Sequence, residues 1–243
     1  MITYLLFCLS IILVHALAGC DFFSEHRTVS LSSTNLTTVI SQYDPRFGQS
    51  SIAIDVDNNE ELDLIVGAMG ITGDDYSTGS IFIMFYEADI TILVSHQKID
   101  SSTGNFTAVL SYRSRFGRAI TSLGDHDQDG TQDIAVTADG DGDYTGSLYL
   151  LFLNPTGTCQ SFQKISSIDG RGGFTALLDI NYYFGASVAS VGDFNGDVFH
   201  ELVVGVPAAD EGMLFVIFLN SNATVLSHTK ISATTGRSLI FIN

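Results

Sequence analysis

Three short stretches of this chain set acidic and amide side chains at alternating positions: DVDNNEELD at 55–63, DHDQDGTQD at 125–133 and DFNGDVFHE at 193–201. Numbered from its first aspartate, the middle stretch places Asp125, Asp127, Asp129 and Asp133 at positions one, three, five and nine. Carboxylates alternating on a tight loop converge on one point, and hard oxygen donors in that number suit Ca²⁺. Thr131 at position seven offers its backbone carbonyl, and Gly130 permits the sharp turn at position six. The first stretch supplies Asp55, Asp57, Asn59 and Asp63, with the Glu61 carbonyl at position seven. The third supplies Asp193, Asn195, Asp197 and Glu201, with the Phe199 carbonyl. Position six holds Glu60 in the first loop and Val198 in the third. If that position needs a positive φ, both are strained, the β-branched Val198 most of all. Glu201 is also one methylene longer than Asp. The middle loop is therefore the best formed of the three and the third the poorest.

Two other readings of these residues compete. An EF-hand opens the same way but needs a bidentate Glu at position twelve between helices. Here position twelve is Val66, Val136 or Val204, each in an expected strand, so that reading fails. Asp, Asn and Gly also build metal-free turns, and this alternative stays open for each loop. Charge favours an ion: 10 of the 27 acidic residues lie in the three loops, with Glu60 and Glu61 not counted. Such crowding is unfavourable without a cation. Catalysis has little to stand on. The chain has no HExxH, P-loop or GxSxG motif, and GASVA at Gly185 is only a near miss. His96 and His228 recur at one repeat position, while His126 and His200 fall in loops where exposure is expected. The chain is read as a non-enzyme.

The elements that must position these loops come from internal repetition. Phe-Gly pairs begin at Phe47, Phe116 and Phe184, spaced by 69 and 68 residues. SHQKI, SFQKI and SHTKI recur around Lys98, Lys164 and Lys230 at a spacing of 66, with GSIFIMFY, GSLYLLFLN and GMLFVIFLN between. Each repeat reads as four short apolar or alternating runs divided by turn residues, in the middle one about 117–123, 133–137, 147–153 and 159–165. Their β-branched and aromatic content suits strands, and no helical stripe persists. Four antiparallel strands per repeat is the unit of a β-propeller blade. The fold class is all-β.

Phe-Gly, an acidic loop about nine residues on, then LIVGAM or LVVGVP together resemble the FG-GAP repeat, which builds the N-terminal propeller of integrin α chains and occurs in many exported microbial proteins. The resemblance covers roughly 25–243 and departs from the pattern where GAMG and TADG replace Gly-Ala-Pro. It implies a partial propeller of about three blades and a strand–loop–strand Ca²⁺ site in which position nine closes the shell, with up to three structural ions. It also implies an extracellular binding or adhesion module, whose ligand is an unidentified protein or glycan held on the surface opposite the ions. The alternatives are a truncated structural repeat without a ligand of its own and an accessory propeller of an extracellular hydrolase. The expected divisions are a signal peptide at 1–18, a partial repeat or linker at 25–46, and FG-GAP repeats at 47–115, 116–183 and 184–243, the last with a truncated continuation. Three blades leave open edges through which copies can associate.

MITYLLFCLSIILVHALAGC is apolar and ends in small residues, which fits a secretory signal cleaved after Ala16-Leu17-Ala18. LAGC also matches a bacterial lipobox that would lipidate Cys20. The expected location is accordingly secreted or cell-surface, with a bacterial lipoprotein as the alternative and a lipid at Cys20 as the sole membrane contact. A Cys20–Cys159 disulfide and a small buried thiol at Cys159, in register with Leu93 and Val225, are both open, the second favoured. Asn35, Asn105 and Asn222 begin glycosylation sequons, meaningful in a eukaryote. A net charge of −17 with only 10 Lys and Arg excludes nucleic acid as a partner.

Overall fold

The structure is a computed structural model that describes residues 46–70, 78–87, 92–209 and 211–233. The signal segment, Cys20, Asn35 and nearly all of 25–46 lie outside the described residues. Twelve strands follow in chain order: β1 Phe47–Ile54, β2 Asp63–Ala68, β3 Ser80–Glu87, β4 Ile92–Ile99, β5 Ile120–Gly124, β6 Asp133–Ala138, β7 Ser147–Leu153, β8 Cys159–Ile165, β9 Ser187–Ser190, β10 Leu202–Val206, β11 Met213–Leu219 and β12 Val225–Ser232. They form three antiparallel four-stranded sheets, β1–β4, β5–β8 and β9–β12, each in simple meander order. The fold is all-β, with three blade-like sheets.

The second and third strands of the middle sheet are apolar runs because both faces meet other sheets. On β6, Ile134 and Val136 pack towards the first sheet, against Ile65, Ile81 and Phe116, while Ala135 joins the core shared with the third sheet. On that side Leu148, Leu150 and Ile165 meet Phe184, Phe215 and Ile217. A fully buried Phe or Leu gains about 1.5–3 kcal/mol over exposure, so these two shared cores dominate cohesion. The middle sheet is covered on both faces; β11 alternates buried Phe215, Ile217 and Leu219 with less buried neighbours.

The Phe-Gly pairs join one sheet to the next. Phe116 N–H donates to the Thr78 carbonyl (2.9 Å) and Phe184 N–H to the Thr145 carbonyl (3.0 Å). Gly79 bridges Phe116 as a parallel partner, and a Cβ on Gly79 or Gly146 would overlap the Phe116 or Phe184 carbonyl oxygen. Consequently β5 and β9 begin a few residues after their Phe-Gly pairs, later than the apolar pattern predicts, because the Phe N–H is bonded to the preceding sheet. Both rings are fully buried, stacked at 4.9 Å on Phe106 and packed at 5.0 Å on Phe174 respectively.

Cys159 is buried with a free thiol, paired across the ladder with Leu153 as Leu93 is with Tyr86 and Val225 with Leu219. Burial pushes the thiol up to about 12, so it is inert as a nucleophile. Asn105 donates its side-chain amide to the Cys159 carbonyl (2.8 Å), a bond that an attached glycan would disrupt.

Candidate metal centres

Each acidic stretch connects the first two strands of its sheet, β1–β2, β5–β6 and β9–β10. Asp63 and Asp133 are the first residues of β2 and β6, and Glu201 immediately precedes β10. The three loops share one hydrogen-bond scheme. The first carboxylate accepts the N–H groups of positions five and six: Asp55 from Asn59 (3.2 Å) and Glu60 (2.9 Å), Asp125 from Asp129 and Gly130 (both 3.0 Å), Asp193 from Asp197 and Val198 (both 2.9 Å). Position five accepts from position seven: Asn59 from Glu61 (2.8 Å), Asp129 from Thr131 (2.8 Å), Asp197 from Phe199 (3.0 Å). These are Asx turns, and they explain why Asp and Asn recur here.

Position six has positive φ in all three: Glu60 at 69°, Gly130 at 94° and Val198 at 76°. Position four does too, at Asn58 (60°), Gln128 (61°) and Gly196 (82°), a second left-handed site that the spacing of carboxylates does not reveal. Only Gly196 and Gly130 take these values without a Cβ penalty.

Position nine anchors the loop to its sheet. Asp63 accepts from the N–H groups of Val56 and Tyr86 (both 3.0 Å), and Asp133 from His126 (2.9 Å) and Leu153 (3.1 Å). Glu201 accepts from Phe194 (2.6 Å), but its Oε1 is buried without a hydrogen-bond partner. The extra methylene shifts the carboxylate away from the second anchor its sister residues use.

Ligand atoms of Asp55, Asp57 and Asp63 lie within 4.8 Å of one another, as do those of Asp125, Asp127 and Asp133. Among the described residues no such group forms from Asp193, Asp197 and Glu201; there Asn195 donates to Asp197 (2.9 Å) instead. Asp129 stands outside the second triad, and Asn59 and Asp129 each hold their own turn. Burial pushes Asp133 up to about 7, with the Asp127 charge adding to it. Asp63 is raised by burial and then by Asp57 and Asp55, Asp127 by burial and the charges of Asp129 and Asp125, Glu201 by burial and the charges of Asp197 and Asp193. Among these carboxylates only Asp127 is relieved by a positively charged neighbour, His126, and that relief is weaker than the burial and repulsion that raise it. Asp57 Oδ1 is also buried without a hydrogen-bond partner. An all-oxygen donor set of this kind fits a hard divalent cation, and the first two loops fit it best.

The loops also touch. Asn58 of the first donates to the Gly130 carbonyl of the second (2.9 Å). His126 corrects the expectation of an exposed loop histidine: it is 3% exposed, its Nε2 3.1 Å from the Asn220 carbonyl and its ring 4.8 Å from that of Phe199. Desolvation lowers its pKa. Position two in the first loop is the buried Val56, the one hint in the sequence that this position points inward. His200 is half-buried, its Nδ1 3.1 Å from Ser190 Oγ.

A second polar cluster sits at the other end of β6 and was not visible in the spacing of the motifs. Buried Asp141 accepts from Ser111 Oγ (2.6 Å), Tyr149 Oη (2.8 Å) and Lys164 Nζ (2.6 Å). Burial pushes its carboxyl up, but these three donors together hold it below the usual range. Asp139 is flanked by Arg118 (3.2 Å) and Arg115 (3.5 Å), and the Arg115 guanidinium lies over the rings of Tyr144 and Tyr183.

Comparison with known proteins agrees with this architecture. The FG-GAP repeat family matches residues 184–222. The chain is 28% identical to integrin alpha-4 of Xenopus laevis over 169 residues, 69% of this chain and 15% of that protein. It is 28% identical to integrin alpha-2 of Mus musculus over 202 residues (79% and 16%), and 27% identical to integrin alpha-PS2 of Drosophila melanogaster over 205 residues (79% and 14%). The matched region thus spans 14–16% of the length of these relatives.

Proposed function

We propose that this chain, an FG-GAP repeat protein similar to integrin alpha chains, is an exported, calcium-stabilised recognition module of the extracellular space or cell surface. The convergence of two carboxylate triads carries the reading, with Asp63, Asp127 and Asp133 raised by burial and by the charges of their neighbours. Asp55, Asp57 and Asp63 hold one ion, and Asp125, Asp127 and Asp133 another, assisted by Asn59, Asp129 and the Glu61 and Thr131 carbonyls. Asp193, Asn195, Asp197, Glu201 and the Phe199 carbonyl form a third, weaker site. The ion supplies positive charge where these carboxylates crowd together. It does no chemistry, and the role is one of binding, not catalysis.

The ligand is an extracellular protein or glycan. The strand ends opposite the acidic loops are the place for it, since Tyr112, Tyr144 and Tyr183 gather there with Arg113 and Arg115, residue types that dominate recognition surfaces. Extracellular calcium modules bind at about 10⁻⁴–10⁻³ M. A site of about 0.1 mM adds about 1.4 kcal/mol at about 1 mM Ca²⁺. Thermal melts in Ca²⁺ and in EDTA test the proposal. The expected result is a fall in melting temperature on chelation, restored by Ca²⁺; identical melts refute it.

A further inference from the structure

Two glycosylation sequons fall within the described residues, Asn105-Phe106-Thr107 and Asn222-Ala223-Thr224, and the fold uses their asparagines differently. Asn105 has φ at 60°, where its counterpart in the next repeat is Gly173 with φ at 79°. Asn is among the few residues besides Gly that visit this left-handed region routinely. Its side-chain amide donates to the Cys159 carbonyl (2.8 Å), and Cys159 N–H donates to the Gly104 carbonyl (2.9 Å). Backbone conformation and this stitch to the start of β8 account for Asn105 without a sugar.

Neither reason applies to Asn222, which lies in the turn between β11 and β12 with φ outside the positive region. Asn220 serves the polar groups of that turn. Its Oδ1 accepts from the N–H groups of Asn222 (3.0 Å) and Thr224 (3.1 Å), and its Nδ2 donates to Thr224 Oγ1 (2.8 Å). The β7–β8 turn is built the same way around Asn154, whose Oδ1 accepts from Thr156 N–H (3.0 Å) and whose Nδ2 donates to Thr158 Oγ1 (2.7 Å). Thr156 stands there in the place of Asn222, so the turn does not require an asparagine. Asn222 is exposed and, among the described residues, contributes only its backbone N–H, while the buried Ala223 beside it fixes the turn to the core.

We propose that Asn222 is an N-glycosylation site of this chain and that Asn105 is not. The proposal rests on the reading of export given above, because the co-reactant, an oligosaccharide joined through pyrophosphate to a membrane lipid, meets chains that enter the secretory pathway. A transferase joins the Asn222 amide nitrogen to C1 of the first sugar. The C1–N bond forms, the C1–O bond to pyrophosphate breaks, the lipid pyrophosphate leaves and one amide proton passes to a base; nothing is oxidised or reduced. The Asn220 carbonyl 3.1 Å from His126 Nε2 places this turn at the acidic-loop end of the molecule. A sugar there leaves the end that carries Tyr144 and Tyr183 open.

Site-resolved mass spectrometry of the full chain secreted from animal cells tests the proposal. Peptide N-glycosidase in heavy-oxygen water converts each sugar-bearing asparagine to a labelled aspartate. The expected result is label at Asn222 and none at Asn105. Asn222→Gln should lose the sugar and melt like the deglycosylated parent, whereas Asn105→Gln should melt lower through loss of its bond to Cys159. A secreted chain unlabelled at Asn222, or labelled at Asn105, overturns the proposal, and an Asn105→Gln chain that melts like the parent overturns the distinction between the two sites. Translation of the full chain with microsomes reads export separately. A chain protected from added protease yet without sugar at Asn222 overturns the site. An unprotected chain contradicts export instead, and the site is then read on the same full chain directed inside by a foreign secretory leader.

Discussion

Val198 holds φ at 76° on the third acidic loop with its side chain 69% exposed, so replacing it by glycine removes backbone strain and almost no packing. A left-handed L-residue costs about 1–2 kcal/mol, with a β-branched residue at the upper end. Glycine gives back about 0.4–1 kcal/mol through the looser unfolded chain. The N–H that donates to Asp193 (2.9 Å) is retained. Val198→Gly should therefore stabilise the protein by about 1 kcal/mol, raising the melting temperature by about 2–4 °C in a chain of this size. Gly130 supplies the mirror experiment. It has φ at 94°, and a Cβ built there meets nothing within 4 Å, so Gly130→Val should lose about 1 kcal/mol through the backbone alone. Differential scanning calorimetry on both variants, in calcium and in EDTA, reads the two signs directly. If Val198→Gly melts lower than the parent, left-handed strain at position six is not what distinguishes the third loop.

The remaining predictions concern other parts of the molecule. Gly146→Ala would push a Cβ into the Phe184 carbonyl oxygen at φ +94°; overpacking and strain together should cost about 3 kcal/mol, while Gly170→Ala, with φ +60° and open space around it, should cost about 1 kcal/mol in the same denaturant titration. Asp141→Asn leaves the Lys164 ammonium without its carboxylate, and with Lys164 partly exposed the loss should fall near the low end for a broken buried pair, about 3 kcal/mol, read as a drop of several degrees in melting temperature. Without calcium, Asp133 ionises at about 7 when folded and near 3.8 when unfolded. The folded state then binds the extra proton, so this group's contribution to stability falls as pH rises from about 4 to 7. Calcium-free melts across that range should slope less steeply in Asp133→Asn than in the parent, and equal slopes would refute the assignment.

The architecture was legible because a strand pattern repeated three times leaves little freedom. The four runs of the middle repeat match β5–β8 to within a few residues, and Val66, Val136 and Val204 stand in strands as the EF-hand argument requires. Position six proved left-handed at Glu60 and Val198 as well as at Gly130, a conformation the glycine alone suggested. Long-range burial was less legible. His126 sits in a polar loop, yet the hairpin turn of the third sheet and Phe199 close over it. The Asp141 cluster joins Ser111, Tyr149 and Lys164 from separate segments, and no local spacing announces such a meeting. Phe47-Gly48 opens β1, but the second and third Phe-Gly pairs, at Phe116 and Phe184, are drawn into the preceding sheet by bonds to Thr78 and Thr145.

Calcium titration of the purified chain by isothermal calorimetry bears most directly on the central claim, that the paired carboxylates of the first two sheets are cation sites. The account predicts saturable binding in the range of about 10⁻⁴–10⁻³ M, with one site lost in Asp125→Asn/Asp127→Asn and another in Asp55→Asn/Asp57→Asn. No measurable heat up to about 10 mM, or binding that both double variants retain in full, would contradict it.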